Sequence, residues 1–243
     1  MSNLILSNQQ NNVLTITLNR FDKLNALNFD MYNQLISLFK KAETDANIHC
    51  IVIQGNAECF CAGNDVRDFV TLKDSDDFVA FDFVKVLASF TKPIIAAIAG
   101  PAVGIGTTLL LHCDMVFATN DSKLKLPFTQ LGLCPEAGSS YLLSQKLGHN
   151  KAFELLVLGD TFTGQSAHEF GIVNQLCSAE DLLASAHSAA ERIAKLPIDS
   201  VLESRRLLKA GHQDKLNQII EEEAQSFKKL LSSPMAQRIL SAF

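Results

Sequence analysis

The segment from residue 100 to residue 106, Gly-Pro-Ala-Val-Gly-Ile-Gly, carries the clearest chemical signal in the chain. The apolar run at residues 93–99 before it is short enough for one buried strand, and residues 109–111 after it are predicted to be helical. A glycine-rich turn between a strand and a helix leaves backbone N–H groups without partners at the helix N-terminus, where the helix dipole favours negative charge. The turn is therefore a candidate anion site.

The anion could be a phosphate or an oxygen that becomes negative only during a reaction. A phosphate-binding loop requires Gly-Lys-Ser/Thr, whereas Gly106 is followed by Thr107 and Thr108. The glycine spacing does not match the dinucleotide-binding fingerprint either. The transient oxyanion remains as the chemical interpretation, beside a tight turn that binds nothing.

Glu136, in Cys-Pro-Glu-Ala-Gly-Ser-Ser at residues 134–140, is the second candidate for chemistry. A carboxyl group held beside a reacting carbon can act as general acid or base. We expect this segment to open a helix, and acidic residues are favoured in a first helical turn for reasons unrelated to catalysis. Burial would raise the pKa of Glu136 and the helix N-terminus would lower it, so the local sequence leaves the direction open.

Alternating strands and helices must position these two segments, which indicates an α/β fold with parallel pairing. The predicted strands are residues 4–6 and 13–19, joined as a hairpin across 8–12, and residues 51–53, 93–99, 115–118, 123–126 and 172–176. The predicted helices are residues 28–46, 74–90, 109–111, 151–158, 164–170, 179–195, 198–210 and 214–231, with a loop at 56–68.

The composition is that of an ordinary globular chain: 243 residues, 47% hydrophobic and 19% charged. The net charge of −5 gives no electrostatic case for nucleic acid or for an anionic membrane, so we expect neither as a partner. The N-terminus lacks a basic region followed by an apolar core, and we expect a cytoplasmic protein.

The six cysteines form no CxxC pair and no histidine follows them at metal-ligand spacing, so we expect reduced thiols and no metal site. The histidines His112, His149, His168, His187 and His212 are scattered, and we interpret them as surface or hydrogen-bonded core residues. The run of three glutamates at residues 221–223 is predicted to be a solvated helix face.

Taken in order, three segments resemble the crotonase superfamily of enoyl-CoA hydratases and isomerases, and the match covers nearly the full length of the chain. They are residues 18–27 (LNRFDKLNAL), 59–65 (CFCAGND) and 92–106 (KPIIAAIAGPAVGIG). Short matches also fall at the expected places, at residues 113–114 (CD), 127–128 (PF), 131–132 (LG), 163–164 (TG) and 171–173 (GIV). The resemblance implies an α/β spiral core of repeated ββα units at residues 1–196 and a C-terminal helical oligomerisation region at 197–243. It also implies a homotrimer or dimer of trimers, an acyl-CoA substrate, and no cofactor besides the coenzyme A thioester itself.

The resemblance assigns the oxyanion to two backbone N–H groups, those of Asn64 and Ile105, each typically worth about 3–4 kcal/mol of barrier. The implied substrate- and CoA-binding residues are Lys23, Leu24, Ala26, Ala62, Gly63, Asn64, Asp65, Val66, Gly104, Ile105 and Phe128. Leu72, Phe78 and Phe81 are further candidates for an acyl tunnel, although apolar helix residues are more often plain core.

The hydratases of the family use two carboxylates, whose positions here are Thr108 and Phe128, so a simple hydratase is not expected. Glu136 matches the glutamate of the Δ3,Δ2-enoyl-CoA isomerase branch, where one carboxylate suffices to move a proton. We therefore predict an isomerase that shifts a β,γ double bond to the α,β position through a dienolate. Other crotonase-fold chemistry (hydratase, thioester hydrolase or decarboxylase) and a non-catalytic acyl-CoA-binding oligomer are the alternatives.

Overall fold

The computed structural model describes residues 3–71 and 78–242. The strands are β1 (Ile5–Gln10), β2 (Val13–Leu18), β3 (Cys50–Gln54), β4 (Ile94–Ile98), β5 (Pro101–Val103), β6 (Met115–Thr119), β7 (Lys123–Lys125), β8 (Phe162–Thr163) and β9 (Gln175–Cys177). The α-helices are α1 (Phe29–Thr44), α2 (Val66–Thr71), α3 (Val79–Ser89), α4 (Ile105–Thr108), α5 (Ser139–Leu147), α6 (His149–Phe153), α7 (Gly164–Glu169), α8 (Leu182–Ala194), α9 (Ile198–Ala210), α10 (Gln213–Leu231) and α11 (Pro234–Leu240). Short 3-10 turns cover Phe21–Lys23, Leu109–His112 and Thr129–Leu131, and a wider helical turn covers Glu154–Leu158.

Within the described residues, a six-stranded sheet has the order β1-β2-β3-β4-β6-β9. β1 and β2 are antiparallel, and every later pair is parallel. Parallel neighbours require crossover connections, which α1 supplies between β2 and β3 and α3 between β3 and β4. The parallel pairing predicted from the alternation of strands and helices is confirmed.

A second layer lies beside this sheet, with β5, β7 and β8 as its strands. β4 of the large sheet is followed at once by β5 of the small one, and β6 is followed by β7. The chain thus steps from the large sheet into the second layer after successive strands, which is the winding expected of a ββα spiral. This stepping brings loops that are distant in sequence to one edge of the second layer.

The core lies on both faces of the large sheet because the strand side chains alternate between them. Ile51 and Ile53 face a cluster with α1 and α3, whereas Val52 faces the cluster covered by α8. The α1 helix begins where predicted, since the side chain of Asn28 accepts a hydrogen bond from the backbone N–H of Met31 at 3.0 Å.

The predicted N-terminal hairpin is correct in pairing but wrong in length. β1 continues to Gln10, and the turn consists only of Asn11 and Asn12, whose φ angles are 52° and 61°. Asparagine tolerates this left-handed conformation, which a two-residue hairpin turn requires. The polar residues 8–10 resembled a loop in the sequence because they form an exposed edge strand.

Several other predicted boundaries also move. The strand predicted at residues 172–176 is β9, starting at Gln175, and the helix predicted from residue 179 starts at Leu182. The helix predicted at 151–158 divides into α6 and the wider turn, and α2 begins inside the predicted loop at 56–68. The first part of the helix predicted at 74–90 lies outside the described residues, and α3 is its described part.

The C-terminal helices α10 and α11 pack on the core. α10 contacts α3 and α5, and α11 contacts α2 and the turn at Thr129–Leu131. Within residues 3–71 and 78–242, no helix is both long enough and apolar enough to cross a bilayer.

Candidate active site

Three loops meet at the edge of the second layer, and backbone hydrogen bonds join them. The N–H of Leu27 donates to the carbonyl of Gly63 at 2.8 Å, and the N–H of Asp65 donates to the carbonyl of Leu27 at 2.8 Å. The N–H of Cys61 donates to Pro101, and the N–H of Val103 donates back to Cys61, both at 2.9 Å. These hydrogen bonds place the 59–65 segment between the 18–27 segment and the 92–106 segment.

The two predicted oxyanion donors lie in these joined loops. Ile105 is the first residue of α4, so its N–H has no intrahelical partner. Within the described part of the chain, the N–H groups of Asn64 and Ile105 donate to no protein acceptor. Gly104 immediately precedes this helix with φ 54° and ψ −118°, a backbone conformation that residues other than glycine rarely adopt. Both amides are therefore available to a bound oxygen.

The other loop is fixed by close packing and by a buried phenol. Gly63 has φ 100°, and a Cβ atom there would lie 2.9 Å from the carbonyl oxygen of Val103. The side-chain oxygen of Asn64 accepts a very short hydrogen bond from the hydroxyl of Tyr32 on α1. Burial raises the pKa of Tyr32 well above its ordinary value, and the negative charge of Glu136 raises it further. Tyr32 thus contacts the oxyanion loop and is close enough to the candidate base to feel its charge.

Glu136 is joined to the loop that carries Ile105 through helix α4. Its Oε1 accepts a 2.6 Å hydrogen bond from the hydroxyl of Thr108. Thr108 follows Ile105 by three residues, so these residues are separated by roughly one helical turn, about 5 Å along the axis. The carboxyl group and the free amide are therefore held by the two ends of one short helix.

The conformation of the Glu136 loop differs from the sequence prediction. α5 begins at Ser139, because Ala137 and Gly138 have φ angles of 59° and 71° and cannot continue a helix into Glu136. Glu136 therefore lies outside the helix, contrary to the prediction that it lies in the first helical turn. It also lacks the lowering of its pKa that a helix N-terminus would give. Burial raises its pKa to about 8, although the hydrogen bond from Thr108 lowers it and the charge of Glu223 raises it further.

Two buried side chains that the sequence analysis did not assign to the site also hold this loop. The ring Nε2 of His112 lies 2.8 Å from the carbonyl oxygen of Ala137, and burial lowers the pKa of His112 to about 4, so the ring is neutral and donates. Glu223 of α10 accepts hydrogen bonds from the backbone N–H groups of Gly138 and Ser140. The prediction that residues 221–223 form a solvated face is wrong for Glu223.

The signal for Glu223 was present in the helix periodicity. It follows Ile220 by three residues and precedes Phe227 by four, which places it on the apolar stripe of α10. Tyr32 likewise lies on the buried face of α1 beside Met31 and Leu35. A polar group on an apolar stripe requires a partner, and that requirement could have identified both residues.

A cavity of about 330 Å³ opens beside the oxyanion loops. Its lining includes the predicted residues Ala62, Gly63, Asn64, Val66, Gly104 and Phe128. The remaining lining is mostly apolar and includes Leu133, Phe227 and Leu240. Ile105 and Glu136 are not part of the lining, because they lie buried behind it with 1% and 5% exposure. A larger cavity of about 530 Å³ between α3, α9 and α10 has no lining residue from the three loops.

The 20–27 segment carries the remaining predicted residues and supports the oxyanion loop from outside. Leu24 is 55% exposed with φ 48°, and its carbonyl accepts from the N–H of Ala62 at 2.9 Å. Lys23 is exposed, and its carbonyl accepts from the N–H of Ala26. Asp65 forms ion pairs with Arg20 at 2.9 Å and Arg67 at 3.0 Å, so its side chain has a structural role in joining these segments.

The acyl-tunnel candidates have different outcomes. Phe81 stacks on Phe78 at a ring distance of 5.2 Å and meets Phe227 edge-on at 5.7 Å. Phe227 lines the cavity, so Phe81 contributes to its wall from behind. Leu72 lies outside the described residues.

The remaining titratable residues take structural places. All six cysteines are free, as expected, and burial raises the pKa of Cys61 to about 12. Asp114 pairs with Arg205 at 2.8 Å and accepts a hydrogen bond from the N–H of Ile94 at 2.8 Å. Within the two described ranges, no three His, Cys, Asp or Glu side chains form a group that could hold a metal ion.

Comparison with known proteins shows what the chain as a whole is similar to. Residues 8–243 match the family model described as enoyl-CoA hydratase/isomerase. The chain is similar to the solved structure of Pseudomonas aeruginosa OdaA, with 44% identity and a TM-score of 0.96 over 100% of this chain and 99% of that one. The family match and this structural likeness confirm the expected α/β fold class.

The curated relatives divide between two chemistries. An Escherichia coli 1,2-epoxyphenylacetyl-CoA isomerase is 35% identical over 81% of this chain and 78% of its own length. Enoyl-CoA delta isomerase 2 from Rattus norvegicus is 32% identical over 92% of this chain and 59% of its own length. Relatives named as enoyl-CoA hydratases match at comparable identity.

Proposed function

Because this chain belongs to the enoyl-CoA hydratase/isomerase family of the crotonase superfamily, we propose that it is an enoyl-CoA isomerase. It converts a 3-enoyl-CoA into the conjugated 2-enoyl-CoA, using Glu136 as its single acid and base. The observation that carries the proposal is the buried carboxyl group of Glu136. It accepts a hydrogen bond from Thr108, which lies one helical turn after the free backbone N–H of Ile105.

The environment of Glu136 suits proton transfer. With a pKa of about 8, it is basic enough to remove a proton that a thioester acidifies and acidic enough to return it. Among the described residues, no cation pairs with Glu136, so its charge is not neutralised when the proton leaves. The other buried carboxylates, Asp65 and Glu223, are fully engaged by several donors.

The reaction needs no external reagent. The carboxylate of Glu136 takes a proton from C2, between the carbonyl and the double bond, and the electron pair is delocalised onto the thioester oxygen and, through the double bond, onto C4. The N–H groups of Asn64 and Ile105 stabilise that oxygen while it is negative. Glu136 then returns the proton to C4, the double bond forms between C2 and C3, and the enzyme is regenerated.

The residues around Glu136 favour isomerisation over water addition. Thr108 and Phe128 occupy the positions where the family resemblance assigns the hydratase carboxylates. The hydroxyl of Thr108 is already used as a donor to Glu136, and Phe128 gives the cavity an apolar wall. Water addition requires one group to activate water and another to protonate the neighbouring carbon, and the single carboxylate Glu136 would have to do both.

The family resemblance also suggests how coenzyme A binds, where the enzyme acts and how its chains assemble. The backbone of Lys23, Leu24 and Ala26 binds the adenine and pantetheine of coenzyme A, and the exposed Leu24 side chain offers an apolar surface to them. The enzyme acts in the cytoplasm as a homotrimer or a dimer of trimers, and coenzyme A enters only as part of the substrate. Residues 197–243 form the oligomerisation region.

The variant Glu136→Gln tests the mechanism, since it keeps the size and the hydrogen bond from Thr108 but removes the base. We expect the rate of 3-enoyl-CoA isomerisation to fall by about 10²–10⁴, the usual contribution of general acid–base catalysis. The exposed Glu180→Gln variant, with the same change in charge, should keep the parent rate. An unchanged rate for Glu136→Gln would refute the assignment.

Matched 2-enoyl and 3-enoyl substrates separate the alternatives. Chromatography of the products should show interconversion of the two enoyl thioesters with negligible 3-hydroxyacyl-CoA. If the hydroxyacyl product dominates, the enzyme is a hydratase, and if free coenzyme A dominates, it is a thioester hydrolase. Stabilisation by coenzyme A without turnover of any thioester would make it a binding protein.

A further inference from the structure

Glu223 is a buried carboxylate that the proposed chemistry does not use. It lies on α10 with 8% exposure, whereas the adjacent Glu221 and Glu222 are exposed. One oxygen accepts from the N–H of Gly138 at 2.6 Å, and the other accepts from the N–H of Ser140 at 2.9 Å and from its hydroxyl. A carboxylate is rarely buried unless several donors engage it, as they do here.

These donors belong to the loop that carries Glu136. Ala137, the residue after Glu136, has a left-handed φ of 59°, which is unfavourable for a residue with a Cβ atom. Such a backbone persists only where its surroundings hold it. Glu223 holds the loop through Gly138 and Ser140, and His112 holds the carbonyl of Ala137.

We propose that Glu223 is a positioning residue: it anchors the 137–140 turn so that the carboxyl of Glu136 stays on the hydroxyl of Thr108. The proposal rests on the proposed function only in taking Glu136 as the base. Glu223 does not line the cavity beside Asn64, so it acts on the base and not on the substrate.

The charge of Glu223 contributes as well as its position. The titratable groups around Glu136 are Tyr32 of α1, Cys134 of the same loop, His112 of the turn after α4, and Glu223 of α10. Of these, Glu223 is the one whose charge raises the pKa of Glu136, after burial. Replacing Glu223 by glutamine should lower that pKa, because it removes a like charge, and any loosening of the turn would admit water and act in the same direction.

The cationic side chains on the helices packed against α10 have other partners. Lys85 of α3 pairs with Glu221 at 3.1 Å, Lys146 of α5 donates to the carbonyl of Gly171, and Arg238 of α11 contacts Met235. Within the described ranges, no cation forms an ion pair with Glu223. The variant therefore alters the electrostatics of Glu136 without releasing a paired cation.

The experiment compares Glu223→Gln with Glu222→Gln, its exposed neighbour on the same helix. NMR of protein labelled with ¹³C at the glutamate carboxyl carbons follows the titration of Glu136, identified by the signal lost in Glu136→Gln. Steady-state kinetics with a 3-enoyl-CoA is measured across the same pH range. For Glu223→Gln we expect the Glu136 midpoint to fall by about one pH unit. We also expect kcat to fall about 10- to 100-fold with KM nearly unchanged, as for a misplaced catalytic group.

A Glu136 midpoint and a kcat that both equal those of Glu222→Gln would overturn the proposal. A shifted midpoint in a protein whose parent form does not isomerise 3-enoyl-CoA would support the positioning role and refute the proposed function instead. Should Glu223→Gln fail to fold, Ser140→Ala removes one of the three donors and keeps both carboxylates. It should lower kcat several-fold at constant KM, and an unchanged kcat in that variant would also count against the proposal.

Discussion

At the scale of single residues, Glu136 owes its chemistry to what surrounds it. Removal from water raises the pKa of its carboxyl to about 8, and one hydroxyl, that of Thr108, stabilises the ionised form. Such a group is partly ionised near neutral pH and can both take and return a proton. Thr108 therefore influences the ionisation of the proposed base, and it stands at the position where the family resemblance places a hydratase carboxylate.

The variant Thr108→Val tests this role. The hydrogen bond from Thr108 lowers the pKa of Glu136, so its loss should raise that pKa further. Because the ionised carboxylate is the active base, the rise of kcat/KM with pH should move to higher pH, and the rate near neutrality should fall. A pH–rate profile measures both effects.

Thr107→Val is the matched control on the same helix. The hydroxyl of Thr107 donates to the backbone carbonyl of Ala102 and does not contact Glu136. This variant should lower the melting temperature and leave the pH midpoint of kcat/KM in place. Equal shifts of the midpoint in the two variants would contradict a specific role for Thr108.

At the scale of elements, the oxyanion loop is held between two neighbours that belong to other turns of the spiral. The backbone of Leu27 pairs with Asn64 on one side, and that of Ala102 pairs with Cys61 on the other. Ion pairs of Asp65 with Arg20 and Arg67 reinforce the first of these contacts. Donors on short, cross-linked loops are fixed before the substrate binds, which is what stabilisation of an oxyanion requires.

Asp65→Asn should therefore destabilise the protein in a pH-dependent way. The hydrogen bond from Arg67, followed by that from Arg20, lowers the pKa of Asp65 from 3.8 to about 2. A lowered pKa stabilises the fold above the unfolded value, and the contribution is lost as pH falls through the folded value. We expect a melting temperature about 2–4 °C lower near neutral pH, corresponding to roughly 1 kcal/mol, and the difference should shrink below about pH 4.

Calorimetry of the parent and the variant at several pH values checks this expectation. Asp22→Asn, an exposed aspartate in the neighbouring 3-10 turn, removes the same charge and should leave the melting temperature within about 1 °C of the parent. A difference between parent and Asp65→Asn that stays constant down to about pH 3 would exclude the ion pairs as its source.

At the scale of the whole molecule, the C-terminal helices complete the site and leave an apolar surface. α10 supplies Glu223 and Phe227, and α11 supplies Leu240 to the cavity. On the outer side of α9, Leu207 and Leu208 are 60% and 81% exposed. Because contiguous exposed apolar surface marks contacts with other chains, we expect the proposed oligomer to form through this part of α9.

We expect light scattering to give a mass of three, or twice three, chains of 26.6 kDa. Leu208→Glu places a charge on the apolar face of α9 and should dissociate the assembly, since burying an unpaired charge is strongly unfavourable. Leu6→Glu on β1, at a leucine with 43% exposure outside residues 197–243, serves as the control and should keep the parent mass. A parent protein that is monomeric at micromolar concentration would remove the proposed trimer.

The hydrophobic periodicity and the local residue types were enough to predict many helix bounds and the loops of the candidate site. The Asn28 cap and the apolar spacing that follows it define α1, and Pro197 and Gly211 bound α9. Glycines at 63 and 104 marked the oxyanion loops, because their backbone conformations are open to few other residues. These features are local, and a sequence encodes local conformational preferences directly.

Only the tertiary structure decided how the site is supported. Thr108 and Glu136 are 28 residues apart, and Gly138 and Glu223 are 85 apart, so no local preference brings either pair together. The left-handed turn at Ala137 places Glu136 outside the predicted helix. The packing of α10 places the buried carboxylate of Glu223 against that turn. The sequence by itself identified Glu136, Asn64 and Ile105 as candidates for the proposed chemistry. Long-range packing decided their burial, and burial sets the pKa of Glu136 on which that chemistry depends.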